Sequence, residues 1–476
     1  MGVHAPVPVL APAAPVPVPV AVVNLKHLDH PMPQTPSEGM YQYDIKDGDS
    51  KSRIHLRVDP DLSGILLVNA SRVVHLNPTA LFMAYLTLEK VDEKTALRAL
   101  QSRFNAPSRQ LKQDYLETRS RVEALIDDNS GMCPVCDLGL EMDLPFSRQL
   151  SAPYRMDLAL TYRCNNDCAH CYNARVRTYP ELPTQSWKSI LDKIWSLRIP
   201  HVVFTGGEPT LRHDLLELVA YAQQTGLVAG LNTNGRKLSD PEFVSGLVNA
   251  GLDHVQITLE SNRAEVHDEM VCAKGAWEQT VQGVRNAVNS KLYMMTNTTL
   301  LENNESYLIE LLTFLRDLGV PTVGLNALIY SGKGSTVNTG LREQDLPNLL
   351  EIATDFTQKS GQRLIWYTPT QYCHFDPLQL DLGIKGCTAA YYNMCIEPDG
   401  QVIPCQSYYE ALGDFLAAPW AEIWEHPLAL SLRQRKDVPQ ACVTCDFFVE
   451  CGGGCPLARE HQNPQPIYRD LVLRRS

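Results

Sequence analysis

Arg163-Cys164-Asn165-Asn166-Asp167-Cys168-Ala169-His170-Cys171-Tyr172 places three cysteines at C-x3-C-x2-C spacing. Three thiolates on one short loop can hold three irons of a 4Fe–4S cluster and leave the fourth iron open. An open iron is what a cluster needs to do chemistry rather than only carry electrons. A zinc knuckle uses similar spacings, so the motif needs support from elsewhere in the chain. Thr205-Gly206-Gly207-Glu208-Pro209-Thr210 offers some, because two glycines let backbone approach a ligand closely and Glu208 adds an acceptor for an ammonium group. Further on, Cys387, Gly400 and Cys405 follow C-x12-G-x4-C, and Cys442, Cys445, Cys451 and Cys455 follow C-x2-C-x5-C-x3-C.

These residues need a scaffold, and the flanking pattern supplies one. Met156–Thr161, just before the first cysteine, reads as a buried strand. Further strands are predicted at His201–Thr205, Leu227–Thr233, His254–Leu259, Leu292–Thr299 and Thr322–Leu328. Helical stretches such as Trp187–Leu197, Asp214–Thr225, Ala276–Asn289 and Ser306–Leu318 separate them. Such alternation predicts an α/β fold with a parallel sheet of six strand–helix units, curved into a partial barrel. Chemistry in such folds collects at the C-terminal strand ends, where the first cysteine loop and the Gly-Gly-Glu segment fall. Asn232-Thr233-Asn234-Gly235, Thr258, Glu260 and Asn297 sit at further strand ends, although such residues often do no more than satisfy local backbone. Asp399-Gly400 is a hairpin-turn signal in the cysteine-rich C-terminal part.

Ahead of the barrel, residues 1–40 are rich in Pro, Val and Ala and read as an extended tail. No Lys or Arg precedes its apolar part, which argues against a signal peptide. Residues 41–128 form a small α+β module with strands at Arg53–Val58, Gly64–Val68 and Arg72–Leu76. Asn77-Pro78 then opens a helix, and others follow at about Glu93–Phe104 and Ser108–Ile126. Three strands and three helices suit a winged-helix-like module. Its 13 Lys+Arg balance 13 Asp+Glu, without the basic face that DNA binding wants. A bridging segment, 129–150, carries Cys133-Pro134-Val135-Cys136, an isolated C-x2-C that could ligate metal or do nothing special. The barrel is expected over 151–370 and the cysteine-rich domain over 371–476. Cys373 could be a ligand, a hydrogen donor to a substrate radical or a buried core thiol, and base rates favour the core thiol there and at Cys272. Trp366, Tyr367 and the Tyr391-Tyr392 pair read as packing residues rather than radical relays.

Composition narrows the classes. The net charge of −12 disfavours nucleic-acid or anionic-membrane binding, and no apolar run approaches the ~20 residues of a membrane helix. Fourteen cysteines, bunched at short spacings, fit metal ligation in a reducing cytoplasm better than a disulfide scaffold.

The cysteine loop followed by Gly206-Gly207-Glu208 resembles the radical S-adenosylmethionine (SAM) enzymes. The resemblance implies that Cys164, Cys168 and Cys171 hold the SAM-binding cluster and that Gly206, Gly207 and Glu208 hold the methionine amino group. Thr258, Glu260 and Asn297 would contact the ribose and carboxylate. Reductive cleavage of SAM would yield a 5′-deoxyadenosyl radical that takes hydrogen from an unactivated carbon. The C-terminal cysteines resemble the SPASM domain, which holds up to two auxiliary 4Fe–4S clusters. By that pattern Cys387, Cys395, Cys405 and Cys455 hold the first, and Cys442, Cys445 and Cys451 hold three irons of the second. No cysteine follows Cys455 to complete the second set, leaving an open iron, Asp470, His461 or an unassigned cysteine.

The stretch Leu66-Leu67-Val68-Asn69 through Thr79-Ala80 resembles the precursor-peptide recognition element of peptide-modifying enzymes, in which a leader peptide adds a strand to a sheet edge. Together these resemblances imply a cytoplasmic peptide maturase with an electron donor such as flavodoxin or ferredoxin. Cys387 to Tyr409 also looks like maturases of Nif11-type precursors, including spliceases that excise tyramine from a Tyr-Gly site. Other outcomes are a thioether or a C–C or C–O crosslink, epimerisation, or oxidation of a folded protein or a cofactor precursor. A non-enzymatic iron–sulfur scaffold is the remaining class.

Overall fold

The computed structural model describes residues 33–47, 50–68, 72–126, 150–174 and 179–462. Most of the N-terminal tail, the bridge with Cys133 and Cys136, and Asp470 lie outside the described residues.

The N-terminal module is a four-stranded antiparallel sheet, β1 (Gly39–Asp47), β2 (Ser50–Val58), β3 (Gly64–Val68) and β4 (Arg72–Leu76), in that spatial order. The strand β1 is one more than the sequence pattern predicted, and it begins inside the expected tail. Helices Pro78–Leu88, Glu93–Gln101 and Ser108–Ile126 follow. Asn77 caps the first as expected, its Oδ1 accepting from Ala80 N at 2.9 Å. Alternation along β2 divides its side chains between two jobs. Ile54, Leu56 and Val58 are buried in the module's core. Arg53, His55 and Arg57, on the other face, are buried against the barrel.

The barrel strands are β5 (Arg155–Thr161), β6 (His201–Gly206), β7 (Val228–Thr233), β8 (His254–Thr258), β9 (Tyr293–Thr299), β10 (Thr322–Asn326) and β11 (Arg363–Trp366). All are parallel, so the six expected strands are joined by a seventh. Large apolar side chains such as Trp187, Phe204 and Trp366 fill the layer between sheet and helices. The C-terminal part adds β12 (Asn393–Ile396), β13 (Gln401–Ile403) and β14 (Gly413–Asp414) to the same sheet. Here β12 runs parallel to β5, with Cys395 opposite Asp157. The hairpin between β12 and β13 turns at Asp399-Gly400, where Gly400 has φ +93° and donates to Glu397 O at 2.9 Å. Barrel and cysteine-rich domain therefore share one hydrogen-bonded sheet.

Candidate functional site

The loop after β5 carries Cys164, Cys168 and Cys171 at the C-terminal end of the sheet, and backbone contacts hold it on three sides. Gly207 N donates to Thr161 O at 2.7 Å and Glu208 N to Arg163 O at 2.9 Å. Asp167 N and Ala169 N both donate at 3.0 Å to Val271 O and Met270 O, and Lys333 N donates to Cys171 O at 2.9 Å. The first contact explains Gly207, because a Cβ there would meet Arg163 O at 2.5 Å and Tyr162 O at 2.7 Å. The glycine pair lets the backbone of one loop lie against the other. Side chains tie the loop further, with Asn234 Nδ2 donating to Asn165 Oδ1 at 2.6 Å and Arg236 to Asn166 Oδ1 at 2.8 Å.

The three thiols open into a cavity of about 1240 Å³ that runs through the barrel lumen. Thr258, Glu260 and Asn297 line it with the backbone of Gly206 and Gly207, so the structure brings these expected SAM contacts together. Glu208 is different. Its carboxylate is fully buried and accepts from Thr210 N (3.0 Å), Thr210 Oγ1 (2.6 Å), Thr233 Oγ1 (2.7 Å) and Asn234 N (2.7 Å). Those donors make the side chain a clamp between the β6 and β7 loops. Burial raises its pKa, against the pull of those donors.

Glu260 is likewise held. Its Oε1 lies 3.0 Å from His170 Nε2, and Oε2 accepts from Thr299 N at 2.8 Å. His170 thereby fastens the cysteine loop to β8 and β9, a role unread in the sequence although the residue sits inside the motif. Two polar atoms facing this space, His170 Nδ1 and Asn297 Oδ1, are buried with no hydrogen-bond partner, and buried polar atoms ordinarily have one. Burial pushes the Cys164 thiol up to about 11 and Cys168 and Cys171 upward as well. A cationic iron centre would draw thiolates from such thiols. Three thiols on one loop, two orphaned polar atoms and a glycine-lined wall fit an open-iron cluster with SAM beside it. Among the described residues, no three His, Cys, Asp or Glu converge tightly enough for a single metal ion.

The same cavity is lined by Cys387, Cys405 and Cys455 from the C-terminal domain. Cys395, fully buried beside Ala159 and Ile403, lies on β12 next to this group. A polar chain joins the two cysteine regions. Tyr172 Oη donates to Gln406 Oε1 at 2.7 Å, and Gln406 Nε2 donates to Asp157 Oδ2 at 2.8 Å. Asp157, fully buried between Met156 and Leu158, pairs with Arg155 of the same strand at 3.0 Å. The signal for Asp157 was its charge inside Met156–Thr161, which a buried strand does not tolerate without partners.

At the opposite end of the lumen stand Arg155, His201, His254, Lys291 and Arg363, joined by Arg53 from the N-terminal module. Arg53 donates to Leu227 O at 2.7 Å and to Asp253 Oδ2 at 3.0 Å. His55 Nε2 lies 2.8 Å from Gly226 O. The module is thus seated on the N-terminal ends of the barrel strands.

Two other sequence readings change. Cys373 and Cys272 are exposed rather than core thiols. Tyr367 lines the cavity, whereas Trp366 is buried packing as expected.

Residues 158–315 match the radical SAM superfamily, and residues 387–446 match the SPASM family, described as an iron–sulfur cluster-binding domain. The chain is a radical SAM enzyme with a SPASM domain, and its cofactors are 4Fe–4S clusters and SAM. Among curated relatives, the mycofactocin maturase MftC of Mycolicibacterium smegmatis is 29% identical over 328 residues, covering 66% of this chain and 81% of MftC. An AdoMet-dependent heme synthase of Oleidesulfovibrio alaskensis is 26% identical over 330 residues, covering 65% and 85%. The structure of Streptococcus suis SuiB bound to its precursor peptide SuiA superposes with a TM-score of 0.64 at 17% identity, covering 85% of this chain and 94% of SuiB. That span is longer than the barrel and C-terminal domain together, so the shared fold includes part of the N-terminal module.

Proposed function

We propose that this chain is a maturase of a ribosomally made precursor peptide. The observation that carries the reading is the single lumen, with the cysteine loop at one end and the N-terminal module seated at the other. Supporting it, MftC is named a maturase and SuiB is solved with a precursor peptide. The leader adds a strand to an edge of the module's sheet, β1 or β4, and the core peptide enters the barrel. With its cluster and SAM bound, the site supplies a 5′-deoxyadenosyl radical that abstracts hydrogen from a substrate carbon. Cys164, Cys168 and Cys171 hold that cluster, Gly206 and Gly207 let the loops close around it, and Thr258, Glu260 and Asn297 orient SAM. Cys387, Cys395, Cys405 and Cys455 hold the first auxiliary cluster against the same cavity. A flavodoxin or ferredoxin delivers the electron, and the work is cytoplasmic. No helix among the described residues is long and apolar enough to cross a membrane.

The finer reading is backbone splicing that excises tyramine, with a thioether or a C–C or C–O crosslink as the alternatives. Intact mass of a candidate precursor after anaerobic co-expression, with Cys164→Ala as control, separates them. Loss of a tyramine-sized fragment means splicing, and loss of two hydrogens means a crosslink. An unchanged mass without deuterium uptake from solvent, from an enzyme that cleaves SAM, refutes that peptide as substrate.

A second reading, oxidation of a cofactor precursor, is favoured by the heme synthase relative. Deleting residues 1–128 discriminates, because a cofactor-directed enzyme keeps its turnover and a leader-guided one loses it.

A further inference from the structure

Apart from Cys373, the cysteines of the C-terminal third fall into a group of four and a group of three. One is Cys387, Cys405 and Cys455 at the cavity with the buried Cys395. The other is built round Cys442, Cys445 and Cys451, for which the sequence offers no fourth cysteine downstream. The segment Thr370–Cys373, which leaves the barrel after β11, runs against Cys451 of this second group. Tyr372 N donates to Cys451 Sγ at 3.4 Å, and Cys451 Sγ donates to Thr370 O at 3.6 Å. The rings of Tyr372 and Phe447 lie 6.1 Å apart. Gly454, at φ +71°, leaves room for the crossing strand, since a Cβ there would come within 2.7 Å of Gln371 Cγ and 3.2 Å of Gln371 N.

From this placement we infer that Cys373 is the fourth ligand of the second auxiliary cluster, reaching it from upstream of the SPASM motif. Of the other candidates, His461 stacks on Tyr330 with ring centroids 4.3 Å apart, and Asp470 is outside the described residues. Binding converts four thiols to thiolates with release of their protons and no change in oxidation state of the protein. The backbone N–H of Tyr372 then donates to a ligating sulfur, a contact that tunes and orients such centres. Four thiolates close the cluster, so its irons have no position for substrate. Its place is electron relay or structure, and substrate is met elsewhere.

This inference rests on the SPASM domain and stands or falls apart from the peptide reading. Its test uses the full chain, loaded anaerobically. Iodoacetamide is applied before and after iron is stripped with a chelator, and alkylated cysteines are read by peptide mass. Cys272, equally exposed, reports ordinary reactivity. The expected result is that Cys272 is alkylated in both states and Cys373 only after stripping. Alkylation of Cys373 as fast as Cys272 in the loaded protein overturns the inference. In parallel, iron and sulfide content and Mössbauer spectra are compared for Cys373→Ala, Cys445→Ala and Cys272→Ala. Cys373→Ala is expected to lose iron as Cys445→Ala does, up to about four irons per chain, while Cys272→Ala loses none. Full iron in Cys373→Ala, whether or not Cys445→Ala is depleted, overturns it.

Discussion

Tyr172 donates its hydroxyl to Gln406 Oε1 at 2.7 Å, and the two residues directly follow Cys171 and Cys405. One hydrogen bond therefore links the first cysteine loop to the loop that carries Cys405. Tyr172→Phe keeps the ring but leaves Gln406 Oε1 without that donor. The expected cost is about 1–3 kcal/mol, read as a lowered thermal midpoint of the loaded protein. Iron content should not change.

Gly207→Ala tests the close approach of the two loops. A methyl group there meets the carbonyls of Arg163 and Tyr162, so the cysteine loop must move outward. Misplacement on that scale costs about 100-fold in rate. Reductant-dependent SAM cleavage should fall by that order, and SPASM-domain iron should be retained.

Acid should loosen the seat of the N-terminal module. His55 and His254 are pushed down to about 4 by burial, and His201, 2.8 Å from His254, is also pushed down. In the unfolded chain each titrates near 6.5 and binds a proton that the folded state refuses. Their stability contribution is therefore full above about pH 6.5 and is lost as pH falls toward 4. Between pH 7 and pH 5 the loss is about 2 kcal/mol for each of His55 and His254. Urea unfolding at the two pH values measures it, and a flat profile would refute the arrangement.

Arg53→Ala should separate docking from chemistry. It removes a buried guanidinium from Leu227 O and Asp253 and leaves that carboxylate short of a partner. Breaking such a pair costs about 3 kcal/mol. The expected outcome is near-normal SAM cleavage without peptide, with peptide modification reduced at least about tenfold. Equal loss in both assays would mean that Arg53 supports the barrel itself.

Much of this was legible because strand patterns and cysteine spacings are local signals. The barrel strands appear within a few residues of their expected bounds, and the Asn77 cap and Asp399-Gly400 hairpin are where the residue types place them. The strand β1 was missed although Tyr41, Tyr43 and Ile45 alternate as a strand should, because the Pro-rich tail before it drew the boundary. The clamping role of Glu208 was not legible, because its donors come from Thr210, Thr233 and Asn234 on separate turns, which spacing alone does not reveal. At Cys373 the base rate of its residue type favoured a core thiol over a ligand or a hydrogen donor. The segment that carries it meets Cys451, far along the chain, only after the C-terminal domain folds back.

The pairing of β12 with β5 has a further consequence. The strand that launches the first cysteine loop and the strand that bears Cys395 are neighbours in one ladder of backbone hydrogen bonds. The spacing between the first cysteine loop and Cys395 is therefore set by strand geometry. A chain truncated before residue 387 would lose that spacing and would also expose the unpaired edge of β5, an invitation to self-association. The auxiliary domain is in this sense the barrel's missing selvedge, and the two should be made together or not at all.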